Sequence, residues 1–90
     1  MKITEFADMI DEQIRLTYYP NQNMRWSASF ERGEIKESPR ATTLLSTFGD
    51  GKTPYEALKN LVPKIEGKTI VFNAMGDNRK VFKVPRGLKP

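Results

Sequence analysis

Apolar residues recur along the chain at two spacings, and the changes of spacing mark out helices and strands. Phe6, Ile10 and Ile14, with Met9 beside them, lie at the interval of one helical face and predict an amphipathic helix from Thr4 to about Ile14. Thr4 can cap its start, and Glu5 and Asp8 suit the positive end of a helix dipole. From Ile14 to Tyr19 the sequence alternates and is rich in β-formers, so the helix is expected to give way to a strand there. Pro20 to Asn23 supplies a turn. Met24, Trp26, Ala28 and Phe30 then point one way while Arg25, Ser27, Ser29 and Glu31 point the other, the period of a strand with one face on a core. Arg32-Gly33-Glu34 reads as a tight turn, with Gly33 free to take a positive φ. Residues 36–40 are polar and interrupted by Pro39, as in a loop or a weak edge segment.

Thr42 to Phe48 is a second β-like run, with Leu44 and Leu45 on opposite faces, and Gly49 to Lys52 is expected to turn the chain. The best-marked helix starts at Thr53, with Pro54 at its first position, Glu56 completing a capping box, and Ala57, Leu58, Leu61 and Ile65 as its apolar stripe. Pro63 should kink or tighten its last turn, and Gly67 suits its end. Thr69 to Ala74 and Arg79 to Val84 predict two strands around a turn at residues 75–78, with Ile70 and Phe72 sharing a face with Phe82 and Val84. Residues 85–90 are expected to be a mobile tail beyond a single domain of residues 1–84. The order α-β-β-β-α-β-β implies an α+β fold, an antiparallel sheet packed against two helices.

Composition narrows the chemistry. The 90 residues include no Cys and no His, which excludes disulfides, thiol catalysis and thiolate metal sites and removes the commonest general base. An enzyme is therefore not expected, nor a cofactor or a metal. The start of the chain is too acidic for a signal peptide and no apolar run approaches the ~18 residues of a membrane span, so a cytoplasmic protein is expected. The formal charge of +4 is unevenly spread: residues 1–12 carry Lys2 against four acids, whereas residues 78–90 carry five bases and no acid.

Two Gly-Lys-Thr triplets, at Gly51 and Gly67, fail the phosphate-binding loop pattern, because the upstream glycine position holds Ser46 in one and Val62 in the other. Turn and cap chemistry accounts for the first. Asp8, Asp11 and Glu12 are close enough on the first helix for an oxygen-ligated magnesium site, but the exposed face of an amphipathic helix explains them as well. Trp26 and Phe30 fit core packing better than a base-stacking platform. Arg25, Arg79, Lys80, Lys83 and Arg86 are the candidate nucleic-acid-binding residues, since a basic hairpin can hold a phosphate backbone; a lysine-guarded sheet edge is the alternative. Either hairpin could also pair across a homodimer.

Two resemblances follow from particular runs. Met24 to Phe30, then Gly49-Asp50-Gly51-Lys52-Thr53-Pro54-Tyr55-Glu56-Ala57-Leu58-Lys59-Asn60-Leu61, resembles the strand, turn and helix of HicB-type antitoxin domains, over about the middle half of the chain. That family usually adds a C-terminal DNA-binding module, which has no counterpart here, so the resemblance implies strand and helix geometry and not antitoxin function. The whole chain, through Leu16 to Asn23, Trp26 to Phe30 and Gly49 to Leu58, is similar to small uncharacterised proteins of bacteriophages and prophages of Gram-positive bacteria, described as α-β-α sandwiches. This implies a phage or prophage origin, a host-cytoplasm location and an accessory role in binding a protein partner. Nucleic-acid binding through the basic hairpin is the alternative.

Overall fold

The first helix, α1 (Ile3–Ile10), stops four residues short of the expected end. In the computed structural model, which describes residues 1–90, Asp11 turns left-handed (φ 55°). The Glu12 and Asp11 N–H groups then bond back to the carbonyls of Ala7 and Asp8, a Schellman closure. Lys2 rather than Thr4 is the N-cap residue, and its N–H donates to the Glu5 carboxylate at 2.9 Å. Ile14, released from the helix, opens strand β1 (Ile14–Tyr18), as the change of pattern predicts.

Strand β2 (Trp26–Lys36) is the spine of an antiparallel five-stranded sheet. Strand β3 (Leu44–Gly51) lines one edge of it. The other edge is shared: β1 pairs with residues 26–30, and β4 (Thr69–Phe72) with residues 33–36. Strand β5 (Lys80–Lys83) lies outside β4, with Ile70 opposite Phe82 as expected.

The expected turn at Arg32-Gly33-Glu34 is instead a bulge inside β2. Ser29 faces Phe48 and Glu34 faces Ser46, so residues 30–33 together oppose Thr47 alone. The register slips by an odd number of residues, which exchanges the two faces of the strand. Ala28 and Phe30 face the core before the bulge, and Gly33 and Ile35 after it. Arg32 absorbs the change at φ 62°. A Cβ on Gly33 would lie 2.9 Å from the Phe72 ring and 3.0 Å from Phe30, so only glycine fits beneath those side chains.

Helix α2 (Pro54–Ile65) begins as its signals require: the Thr53 hydroxyl accepts from the Glu56 N–H at 3.1 Å. The Glu56 carboxylate reaches back to the Lys52 N–H at 2.9 Å, one residue earlier than in the usual box. Gly49 and Gly51, expected in a turn, belong to β3. They are glycines because α2 lies directly on them, and a Cβ at either would run into the backbone of α2 around Ala57. Gly67 takes a positive φ (74°) just beyond the helix.

Both helices cover one face of the sheet, and the buried side chains there form one continuous cluster. Through it runs a row of edge-to-face phenylalanines, Phe6–Phe30, Phe30–Phe72 and Phe72–Phe82, with ring centres 6.0 to 6.1 Å apart. Met9 and Met24, placed with apolar stripes by their spacing, are exposed. Residues 85–90, expected as a tail, return to the core through Leu88. Leu88 is buried in the core, and Lys89 bridges to the start of α1 through Ile3 N–H to Lys89 C=O (2.8 Å) and Lys89 N–H to Met1 C=O (3.0 Å). The Gly87 N–H also donates to the Glu66 carboxylate at 3.0 Å. No helix is long and apolar enough to cross a membrane.

Two substitutions test this packing by urea denaturation. Gly49→Ala should cost about 3 kcal/mol through overpacking against the α2 backbone, whereas Gly76→Ala, whose nearest neighbours would stand 3.6 Å away, should change stability little. Leu88→Ala should cost about 2–3 kcal/mol, as for a core leucine; an unpacked tail would show no loss.

Candidate functional site

The bulge leaves a notch in the sheet. β1 begins opposite Phe30 and β4 ends opposite Gly33, so the edge of β2 at Arg32 has no neighbouring strand. The notch is the mouth of a polar cleft of about 810 Å³, bordered by Gln13 before β1, Asn73 after β4 and Arg32 between them. Asp8, Asp11 and Glu12 enter from the end of α1, and Asn78, Arg79 and Lys80 from the β4–β5 turn. Asp11, Arg32 and Asn73, three of the four non-glycine residues with positive φ, therefore meet around one opening.

The acidic and basic ends of the sequence are thus brought together. The Glu12 carboxylate, only 5% exposed, is ion-paired with Lys80, and the pair ties the end of α1 to β5. Lys80 can reach it because its side chain shares the core-side face with Phe72 and Phe82. No group of three carboxylates is arranged to hold a metal ion. The cleft offers hydrogen-bonding and charge-pairing groups of both signs.

Two of the five basic candidates meet, and the other three lie elsewhere. Arg79 and Lys80 line the cleft. Lys83 is exposed at the far end of β5, opposite Thr69, and the Arg86 guanidinium lies over Gly67. Arg25 is at the β1–β2 hairpin, where it donates to the Tyr18 hydroxyl at 3.4 Å. Since β2 meets β4 only from Gly33, Arg25 stands roughly 20 Å along the strand from the others.

A second, apolar surface was not assigned from the sequence. On the helix side of the hairpin, Leu16 and Tyr18 are 43% and 47% exposed, and Tyr18 leans on Trp26 with ring centres 5.2 Å apart. On the opposite side Tyr19, Met24 and Phe48 border a shallow depression beside Gln22 and Asp50. The signal was the alternation of Ile14, Leu16 and Tyr18, which matches the core-facing side of β2 but runs beyond the area the helices cover.

The three free sheet edges differ. Along β3, α2 side chains take the outward carbonyls: Lys64 donates to Phe48 at 2.8 Å and Asn60 to Asp50 at 2.6 Å. Along β5, a short strand is flanked by Lys80 and Lys83. β1 has no proline, lysine or bulge, and β2 is its only partner. Comparison with protein-family models, curated proteins and solved structures gives no match.

The Glu12–Lys80 pair is tested by a double-mutant cycle. Lys80→Met alone leaves a buried carboxylate without its partner and should destabilise by about 2 kcal/mol. Adding Glu12→Gln should recover about half of that in thermal or urea unfolding.

Proposed function

We propose that this protein is a small binding module with a protein partner, engaged at the β1 edge and the adjoining β1–β2 hairpin. The unguarded backbone edge of β1, bordered by half-exposed Leu16 and Tyr18, carries the reading. An exposed edge supplies main-chain hydrogen bonds to an incoming strand, and flanking apolar side chains supply the burial that makes such pairing stable. The phage or prophage origin and the host-cytoplasm setting belong to the same proposal and rest on the sequence resemblance alone.

The alternative, nucleic-acid binding, has less support. Of its five basic residues only Arg79 and Lys80 share a site, and Lys80 is already paired with Glu12. A salt-sensitive shift of DNA or RNA that Lys83→Glu with Arg86→Glu abolishes would favour it over protein binding.

A photo-crosslinking amino acid tests the proposal. Placed at Tyr19 or Met24, it should capture a protein, whether a second copy of this chain or a protein of bacterial lysate, at least tenfold more efficiently than when placed at Val81, an exposed residue of β5. Equal or absent capture at both places would remove the reading.

A further inference from the structure

We infer that the β1 edge takes a second copy of this chain, pairing β1 antiparallel with its own counterpart about a two-fold axis at Leu16. The inference rests on the reading of β1 as a protein-binding edge and names its occupant.

The hydrogen-bond phase of β1 is set by its hairpin. The Glu31 N–H donates to the Gln13 carbonyl at 2.9 Å and the Tyr19 N–H to the Arg25 carbonyl at 2.6 Å. In an antiparallel ladder this phase turns the backbone groups of Arg15 and Thr17 toward β2 and those of Ile14, Leu16 and Tyr18 outward. The outward residues are thus the first, third and fifth of a five-residue strand. Such a strand is complementary to itself.

Three registers keep at least two outward residues of each copy in hydrogen-bonded pairs, and charge and length choose among them. Centring on Arg15 would set two guanidinium side chains directly opposite each other. Centring on Thr17 leaves Ile14 without a partner. Centring on Leu16 pairs Ile14 with Tyr18 of the second copy, Leu16 with itself and Tyr18 with Ile14. All the outward backbone groups of both strands are then used. Arg15, already paired with Glu31 at 3.1 Å, stands opposite a threonine. The side chains of Ile14, Leu16 and Tyr18 share the helix side, so the same register buries the half-exposed Leu16 and Tyr18 of both copies against each other. The sheet then runs without interruption through both chains.

Sedimentation equilibrium of the full chain over a dilution series should give twice the chain mass at high concentration. Leu16→Lys, which sets two ammonium groups across the axis, should weaken association at least tenfold while leaving the circular dichroism spectrum unchanged. In the Leu16-centred register the paired α-carbons are about 5.5 Å apart, within disulfide range. Mild oxidation of Leu16→Cys should therefore yield a covalent dimer at least tenfold faster than oxidation of Arg15→Cys. A monomer at every concentration, or a dimer indifferent to Leu16→Lys, would overturn the second copy as occupant. Faster crosslinking through Arg15→Cys would overturn the register. If the chain stays monomeric but the crosslinker at Tyr19 still captures another protein, this inference alone fails. If it captures nothing either, the reading of the edge fails too.

Discussion

The exchange of faces within β2 is the constraint on which the rest of the structure depends. A strand presents alternate residues to alternate faces, so a strand with one buried face must keep its apolar residues in phase throughout. β2 does not: Ala28 and Phe30 are in one phase and Ile35 in the other. The three-residue slip opposite Thr47 reconciles them, at the cost of a left-handed Arg32 and of a glycine beneath Phe30 and Phe72. Because the bulge interrupts the edge of β2, β1 and β4 can follow each other along it, and the Phe6–Phe30–Phe72–Phe82 row crosses from α1 to β5. The same interruption opens the polar notch and turns Arg32 toward it. Core and cleft are two consequences of one local irregularity.

The notch also changes the meaning of the charge pattern. Along the sequence an acidic start and a basic end look like the poles of an extended field. In the fold they face each other across one opening, and Glu12 and Lys80 neutralise each other there. Net charge is a property of composition, but the field depends on pairs formed across the whole chain. This weakens the long-range attraction of polyanions that the basic hairpin alone would suggest, and shifts weight toward recognition at short range, where shape and backbone hydrogen bonds decide.

What could be read in advance was whatever is encoded locally. The Thr53 cap, Pro54 and the α2 stripe are contiguous signals, and they placed α2 closely. The pairing of Ile70 with Phe82 followed from two short alternating runs joined by a turn. The errors arose where a residue answers to something distant. Gly33 has turn chemistry in isolation, but its requirement is the Phe72 ring from a strand far along the chain. Gly49 and Gly51 likewise read as a turn, although their lack of side chains serves the approach of α2. Leu88, among prolines and bases, carried no local sign that β5 would return it to the start of α1. Of the cleft, Asp8, Asp11, Glu12, Arg79 and Lys80 were legible as charged groups, but their meeting was not; Arg32 was hidden in the supposed turn. The exposure of Leu16 and Tyr18 was also out of reach, because alternation says which face a residue takes and not how far the helices extend over it.

The treatment of the sheet edges gives a last constraint. Asn60 and Lys64 are one helical turn apart, an axial rise of about 6 Å, and the carbonyls of Asp50 and Phe48 are two strand residues apart, about 6.6 Å. The near match lets neighbouring turns of α2 close neighbouring outward carbonyls of β3. It is available only because Gly49 and Gly51 let the helix lie close to the strand. No helix reaches β1 in this way. Its odd-numbered residues use their backbone groups within the hairpin, so its even-numbered residues can bond outward without weakening any intramolecular pair. Their side chains lie on the helix side, where the sheet extends past its cover. Main-chain bonding capacity and uncovered apolar surface therefore coincide on Leu16 and Tyr18, while Ile14, the third outward-bonding residue, packs against the core. Association through β1 would add to the existing fold without rearranging it, whereas association through β3 would first have to displace Lys64 and Asn60.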